Sequence, residues 1–458
     1  MSSRHTLLLT AAVVLVPLAL VTVAGAAGSK PLSFAAPKRL AATPNPAGVA
    51  IGDLNGDGKP DLAVANGTVD TEDEDAVGTV SIRLNRGDGT FKPRRDYNAG
   101  PGPAAIAIGD LNGDSKPDLA VADWDGAVAT LFNNGDATFR VEHDYATGDR
   151  TTSIAIGDLN GDGALDLAAT VAEDGTLDVL LNKGDGSFAD PVAYAAGENA
   201  WAVAVGDLNG DGVADLAVVS SSERSVVSIF LNDGKGAFGA PRDYAAGPEP
   251  VAVAIGDLDD DGKPDLAISH FGSVFQSNTV SVLVNDGDAG FGSKRDYPVA
   301  EGLGRIAIGD VSGDGEPDLV TSNDDSNRLS LLVNSGDGRF LPVLAYPTGE
   351  LPQDVALGDL NGDGRLDLVS ADSFEDVSND LTVILSKPGF CDVQNVVKLP
   401  LAAARAKLAR AGCSAGRVRS VYTKTTPKGL IAAQRPAFGA VMPGGAKVSL
   451  ALSKGRRR

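Results

Sequence analysis

Gly52-Asp53-Leu54-Asn55-Gly56-Asp57-Gly58-Lys59-Pro60-Asp61-Leu62 decides how this chain is read, because its pattern returns with leading aspartates at Asp110, Asp158, Asp207, Asp257, Asp310 and Asp359. The seven copies stand 48 to 57 residues apart. A period near that length means one supersecondary unit used repeatedly. Alternate positions of a tight loop turn towards one point, and here those positions carry oxygen. A hard cation such as Ca2+ takes roughly six to eight such ligands. Loop positions one, three, five, seven (through its backbone carbonyl) and nine are therefore expected to bind metal.

In the first copy these are Asp53, Asn55, Asp57, Lys59 and Asp61, and in the second Asp110, Asn112, Asp114, Lys116 and Asp118. The third and fourth offer Asp158, Asn160, Asp162, Ala164 and Asp166, then Asp207, Asn209, Asp211, Val213 and Asp215. The fifth has Asp257, Asp259, Asp261, Lys263 and Asp265, and the sixth Asp310, Ser312, Asp314, Glu316 and Asp318. Asp359, Asn361, Asp363, Arg365 and Asp367 complete the set. The offsets match the start of an EF-hand loop, but the glutamate at position twelve is missing and strands flank the site: Ile51 leads in and Leu62-Ala63-Val64 leads out. Turn chemistry alone is the plain alternative, since Asp, Asn and Gly bond their own backbone. It explains one turn but not the recurrence, because unneutralised carboxylates so closely packed repel. Ser115 replaces a loop glycine in copy two, which makes that site one of the weaker expected ones.

A second element precedes each loop. Phe34, Phe91, Phe139, Phe188, Phe238, Phe291 and Phe340 stand 19 residues before the leading Asp. Six residues after the Phe comes Tyr97, Tyr145, Tyr194, Tyr244, Tyr297 or Tyr346, with Leu40 in the first unit. This register marks packing anchors rather than a ligand platform. Between loop and next Phe lie further strands, such as Thr79 to Leu84, Leu177 to Leu181 and Leu381 to Leu385, ending in Asn-x-Gly hairpin signals. Four short strands per unit describe a propeller blade. The last unit stops after its third strand near Phe390, while Ser33 to Leu40 matches a fourth strand lacking the first three. Pairing these ends is expected to close a mainly β, seven-bladed β-propeller of four-stranded blades, with no open edge.

The loop Asp-x-Asn-Gly-Asp-Gly-x-x-Asp-Leu and the later Asn-x-Gly-Asp-Gly-x-Phe resemble the FG-GAP (VCBS-type) repeats of bacterial surface proteins, related to the integrin α propeller. The resemblance covers about residues 31 to 390. It implies Ca2+ at loop positions one, three, five, seven and nine, but no fixed activity.

From Cys391 the texture changes. Residues 391 to 458 carry 14 Lys/Arg against Asp392, a net of +13, whereas the preceding residues sum to −35 within a chain total of −22. That asymmetry marks a separate module. Leu401, Ala404, Leu408 and Ala411 fall at helical spacing before Gly412, and strands are predicted at Arg417 to Tyr422, Leu430 to Gln434 and Lys447 to Leu452. Val396-Val397-Lys398-Leu399-Pro400-Leu401, Pro427-Lys428-Gly429 and Gly445-Ala446-Lys447-Val448 resemble a PASTA domain, a small α+β module that in some cases binds peptidoglycan fragments. Wall contact and a passive spacer both stay open. Cys391 and Cys413, the two cysteines, are expected to form a disulfide.

Arg4 and His5 precede an apolar run from Leu7 to Ala24, and Ala24-Gly25-Ala26 suits signal peptidase, so residues 1 to 26 are expected to direct export. An uncleaved membrane anchor is the alternative. The acidic body argues against nucleic acid as partner. Arg86-Gly87-Asp88 falls in a repeat turn and is read as chance. His5, His143 and His270 make no catalytic or metal-spaced pattern. The favoured function is a secreted or cell-surface, non-catalytic, Ca2+-dependent binding or adhesion protein for a protein or carbohydrate ligand. Its rival is an extracellular glycan- or ester-acting enzyme using the irregular face, which includes Asp70 to Asp75, Trp124, His270, Phe271, Phe275 and Phe374, while Trp201 falls off the repeat pattern just before the first strand of its unit.

Overall fold

The computed structural model describes residues 32–456 except 68–76, 223, 272–277, 303, 374–378, 389, 393, 411–412, 438–440 and 444–446. The export segment, the acidic run Asp70 to Asp75, Phe275, Phe374 and Gly412 lie outside the described residues.

The chain is mainly β. Among the described residues, seven four-stranded antiparallel sheets follow one another. The first holds Pro46–Gly52, Asp61–Asn66, Thr79–Arg83 and Arg95–Asn98. The first strands of the next five are Pro103–Gly109, Thr151–Gly157, Ala200–Gly206, Pro250–Gly256 and Ile306–Gly309. The seventh sheet combines Pro352–Gly358, Asp367–Asp372 and Asp380–Ile384 with Lys38–Ala41 from the N-terminal end, Leu40 facing Leu381. Leu32–Phe34 adds a further pairing with Ser386–Pro388.

Burial differs from strand to strand within a sheet. In the first sheet the second strand, Asp-Leu-Ala-Val-Ala-Asn, is buried throughout, whereas the fourth is mostly exposed. First strands end in glycine because the next sheet presses on them: a Cβ on Gly157 would stand 2.8 Å from Val205 Cγ1, and one on Gly206 2.9 Å from Ile255 Cγ2. A Cβ on Gly358 would meet Ile51 Cγ2 of the first sheet at 2.8 Å, so the seventh sheet presses on the first in the same way. The aromatic register does comparable work farther out. Tyr97 meets Phe139 edge-on at 5.6 Å, Tyr145 meets Phe188 at 5.4 Å, and the N-terminal Phe34 meets Tyr346 at 4.6 Å. Each pair joins neighbouring sheets, as the repeated spacing predicts. Where Leu40 replaces tyrosine, it packs in one cluster with Phe91.

The tail forms the helix Leu401–Arg410 over a three-stranded sheet of Ser414–Val421, Ile431–Arg435 and Lys447–Ser453, its first and last strands parallel. Ala404, Leu408, Cys413, Ile431, Val448 and Leu450 are buried together. One boundary differs from the sequence reading: Phe390 belongs to the strand Phe390–Asp392, which pairs with Val441–Pro443 of the tail. Among the described residues no helix is long and apolar enough to cross a membrane.

Candidate metal centres and the latch beneath them

Each acidic loop joins the first strand of its sheet to the second, so the strand pairing, which closes at Gly52 opposite Asp61 in the first copy, fixes both ends. Inside the loop, backbone donors organise the acids. Asp53 accepts from the N–H groups of Asp57 at 3.1 Å and Gly58 at 2.7 Å, and Asp57 accepts from Lys59 N at 3.1 Å. Asp207, Asp310 and Asp359 are gripped in the same manner. In copy two the Ser115 N–H reaches Asp110 at 2.8 Å, with Ser115 at φ 63° where other copies place glycine. Asp260 takes the left-handed turn at φ 60° in copy five. These bonds fix the carboxylates of each loop against its own backbone, and carbonyls at Lys59 and its equivalents stand between them in sequence.

Position nine behaves differently from the rest. Asp61, Asp118, Asp166, Asp215, Asp265, Asp318 and Asp367 are fully buried, at 0% exposure. In the first copy the Asp61 carboxylate accepts from Leu54 N at 3.2 Å and from Asn85 N at 2.7 Å. The same two-pronged grip holds Asp318 through Ser312 N and Asn334 N, and Asp367 through Leu360 N and Ser386 N. Burial raises these acids: Asp61, Asp118 and Asp265 are pushed up to about 6, Asp318 and Asp367 to about 7, and Asp166 and Asp215 in the same direction. A divalent cation would hold them ionised.

In copies two and five the acids converge most closely. One oxygen each from Asp110, Asp114 and Asp118, and one each from Asp257, Asp259 and Asp265, lie within 4.8 Å of one another. Asp259 Oδ1 is a buried atom without a hydrogen bond, the kind of orphaned acceptor a cation satisfies. The donor set, all hard oxygen, fits Ca2+ rather than a thiophilic metal. Lys59, Lys116 and Lys263 place their ammonium groups on the position-five carboxylate at 3.0, 2.9 and 2.9 Å, leaving their carbonyls as the groups available to an ion.

Sequence reasoning missed a second role at these loops. The Asn that begins each Asn-x-Gly turn is not merely a turn former. Asn133 Nδ2 donates to Pro117 O of its own sheet at 2.9 Å and to Leu54 O of the preceding sheet's acidic loop at 2.7 Å, while its Oδ1 accepts from Gly135 N at 2.8 Å. Asn182, Asn232, Asn285 and Asn334 repeat this reach to Leu111, Leu159, Leu208 and Leu258. Asn85 reaches back to Leu360 of the seventh sheet at 2.9 Å. In the seventh sheet Ser386 holds this place, and its hydroxyl has no well-formed partner. The signal was available: Asn recurs at all six places while the next residue varies from Arg86 to Asn134, Lys183, Asp233, Asp286 and Ser335.

His270, the side chain on which an enzymatic reading would lean, is 1% exposed. Its Nδ1 lies 3.1 Å from Pro248 O and its Nε2 2.8 Å from Ser281 Oγ, which in turn donates to Asp296. Ser81 and Ser228 bond Asp96 and Asp243 in the same way, so the serine–aspartate pair is a repeat feature. Burial lowers the His270 pKa to about 4.

Repeated acidic loops on successive antiparallel sheets define a β-propeller-like repeat protein. The FG-GAP-like repeat family matches residues 69–121, 110–169, 169–218, 215–268 and 310–370, the FG-GAP repeat matches 45–82, and the PASTA domain matches 392–454. The chain thus belongs to the FG-GAP repeat family and carries a C-terminal PASTA domain. Among solved structures, BBS1N in complex with ARL6DN, soaked with mercury, aligns with a TM-score of 0.51 at 15% identity over 78% of this chain and 97% of that one. A lectin of Agrocybe aegerita, described for specific recognition of non-reducing terminal N-acetylglucosamine, aligns with a TM-score of 0.47 at 24% identity over 69% and 80%. No curated protein matches the chain in sequence.

Proposed function

We propose that the protein is an exported, non-catalytic binding module: a seven-bladed propeller closed by its N-terminal strand, held by Ca2+ in up to seven loops, with the tail as a contact to the cell wall. The observation that carries this reading is the repeated loop, in which backbone donors fix the acids beside a buried ninth-position Asp and, in copies two and five, three acid oxygens lie within 4.8 Å of one another. The pairing of Lys38–Ala41 with the last third strand supports the ring. Outside the cytosol Ca2+ is abundant enough for sites of about 10⁻⁴ to 10⁻³ M affinity. A Cys391–Cys413 disulfide suits the same compartment, and the described residues hold no free thiol.

The burial of His270 favours binding over catalysis. A glycan and peptidoglycan-fragment array, probed with full-length protein in millimolar Ca2+ and again in EDTA, tests the proposal. Saturable, EDTA-sensitive capture without turnover supports it. Substrate turnover, or no capture in either buffer, contradicts it.

A further inference from the structure

The chain has two tryptophans, and they meet although they come from different sheets: the Trp124 and Trp201 ring centroids are 6.3 Å apart at 46°. Trp124 lies in the turn after Asp118–Asp123, between second and third strands, and Trp201 lies in the first strand Ala200–Gly206. Arg150, from the connection between the second and third sheets, completes the group. Its guanidinium carbon is 5.1 Å from the Trp124 ring centroid and 5.4 Å from that of Trp201. The acidic loops join first strands to second, so this cluster occupies the opposite end of the sheets.

Its construction is unusual for a surface arginine. The backbone is fixed, with Arg150 at φ 65°, its N–H on Trp124 O and its carbonyl on Ala172 N. The guanidinium makes no hydrogen bond or ion pair among the described residues, in a chain with 61 Asp/Glu and 39 Lys/Arg. Five N–H donors are therefore held in place between two rings without acceptors. Asp125 and Asp149, each next in sequence to a member of the cluster, are exposed, and their carboxylates accept no hydrogen bond among the described residues. Trp124 is 41% exposed, so part of its surface is open to solvent.

We propose that Trp124, Trp201 and Arg150 bind a neutral pyranose unit of a glycan chain. The C–H face of the sugar covers the indole, as apolar groups do on an aromatic surface that keeps one polar edge wet. Arg150 donates to ring and hydroxyl oxygens, and Asp125 and Asp149 accept from neighbouring hydroxyls. The acid excess of the surrounding body works against an anionic sugar or an acidic peptide. This assignment rests on the binding-module reading and gives it a ligand class and a place.

Because the cluster contains both tryptophans, their emission reports directly on it. Full-length, Ca2+-saturated protein is titrated with neutral oligomers of glucose, xylose, mannose and N-acetylglucosamine, with oligogalacturonate, and with a mixed tripeptide library. The expected result is a saturable emission change with at least one neutral oligomer, weakened roughly tenfold or more in both Trp124→Ala and Arg150→Asn. Asn tolerates the left-handed φ at 150, and unchanged melting temperatures confirm that both variants fold. Unchanged affinity in the variants, or saturation by uronide or peptide alone, overturns the site. Array capture that persists in both variants removes this site and leaves the binding-module reading standing, whereas silence in titration and array sinks both.

Discussion

Replacing Asn133 with alanine removes three hydrogen bonds at a position 3% exposed: those to Leu54 O and Pro117 O and that from Gly135 N. Each such bond contributes about 1 kcal/mol net, and a buried partner left unpaired costs about 1 to 3 kcal/mol. Some of these groups will recruit water, so Asn133→Ala should destabilise the propeller by about 3 kcal/mol. For a body of this size that is a fall in melting temperature of roughly 4 °C. Ser386 offers an internal control, because it holds the same repeat position without the amide reach. Ser386→Ala should cost less than about 1 kcal/mol. Paired thermal and urea melts in saturating Ca2+ read both variants. Equal shifts in the two, or an Asn133→Ala shift within error of zero, would refute the idea that these amides latch one sheet to the loop of the next.

Three further outcomes follow from burial and close contact. The folded pKa of Asp318 and Asp367, about 7, lies above the unfolded value, so their protonation stabilises the Ca2+-free fold at low pH and that contribution is lost as pH rises through about 7. Metal-free protein should therefore melt lower at about pH 8 than at about pH 5, while Ca2+ affinity, read by titration calorimetry, rises over the same interval. His270 has the opposite sign: its folded pKa of about 4 lies below the ordinary 6.5, so its contribution is present above about 6.5 and lost as pH falls through about 4. The loss amounts to about 3 kcal/mol, and His270→Asn, which installs the residue found at Asn66 and Asn323, should flatten that limb of the stability curve. Gly358→Ala drives a Cβ to 2.8 Å from Ile51 and should cost about 1 to 3 kcal/mol in chemical denaturation, whereas Gly239→Ala, with nothing within 4 Å, should be near neutral.

How much of this was legible from sequence depended on the range of each interaction. The loop ligands and the Phe and Tyr anchors are periodic, and a repeat converts sequence spacing into spatial spacing, so Tyr97 and Phe139 could be paired by role before they were seen to touch. The pairing of Leu40 with Leu381 followed from counting strands at both ends. Asn133 was read as a hairpin residue because its local bond to Gly135 suffices for a turn; its bond to Leu54 in another sheet leaves no trace in the intervening sequence. The nine-position aspartates looked like their neighbours because composition does not reveal which carboxylate the second strand carries into the core. Trp124 and Trp201 were visible as departures from the pattern, but their meeting around Arg150 depends on how three sheets are arranged. Strand periodicity runs up to Phe390, which places it with the propeller in sequence, whereas its strand partner, Pro443, lies in the tail.

The central claim concerns metal, and calcium content read together with melting tests it most directly. At Ca2+ tenfold above the dissociation constant each site adds about 1.4 kcal/mol, so seven sites add about 10 kcal/mol. Equilibrium dialysis against Ca2+ at tenfold the dissociation constant should place close to seven calcium atoms on each chain above the buffer level, and EDTA should lower the melting temperature by roughly 10 °C or more. A chain that retains no calcium and melts at the same temperature in EDTA would contradict the account.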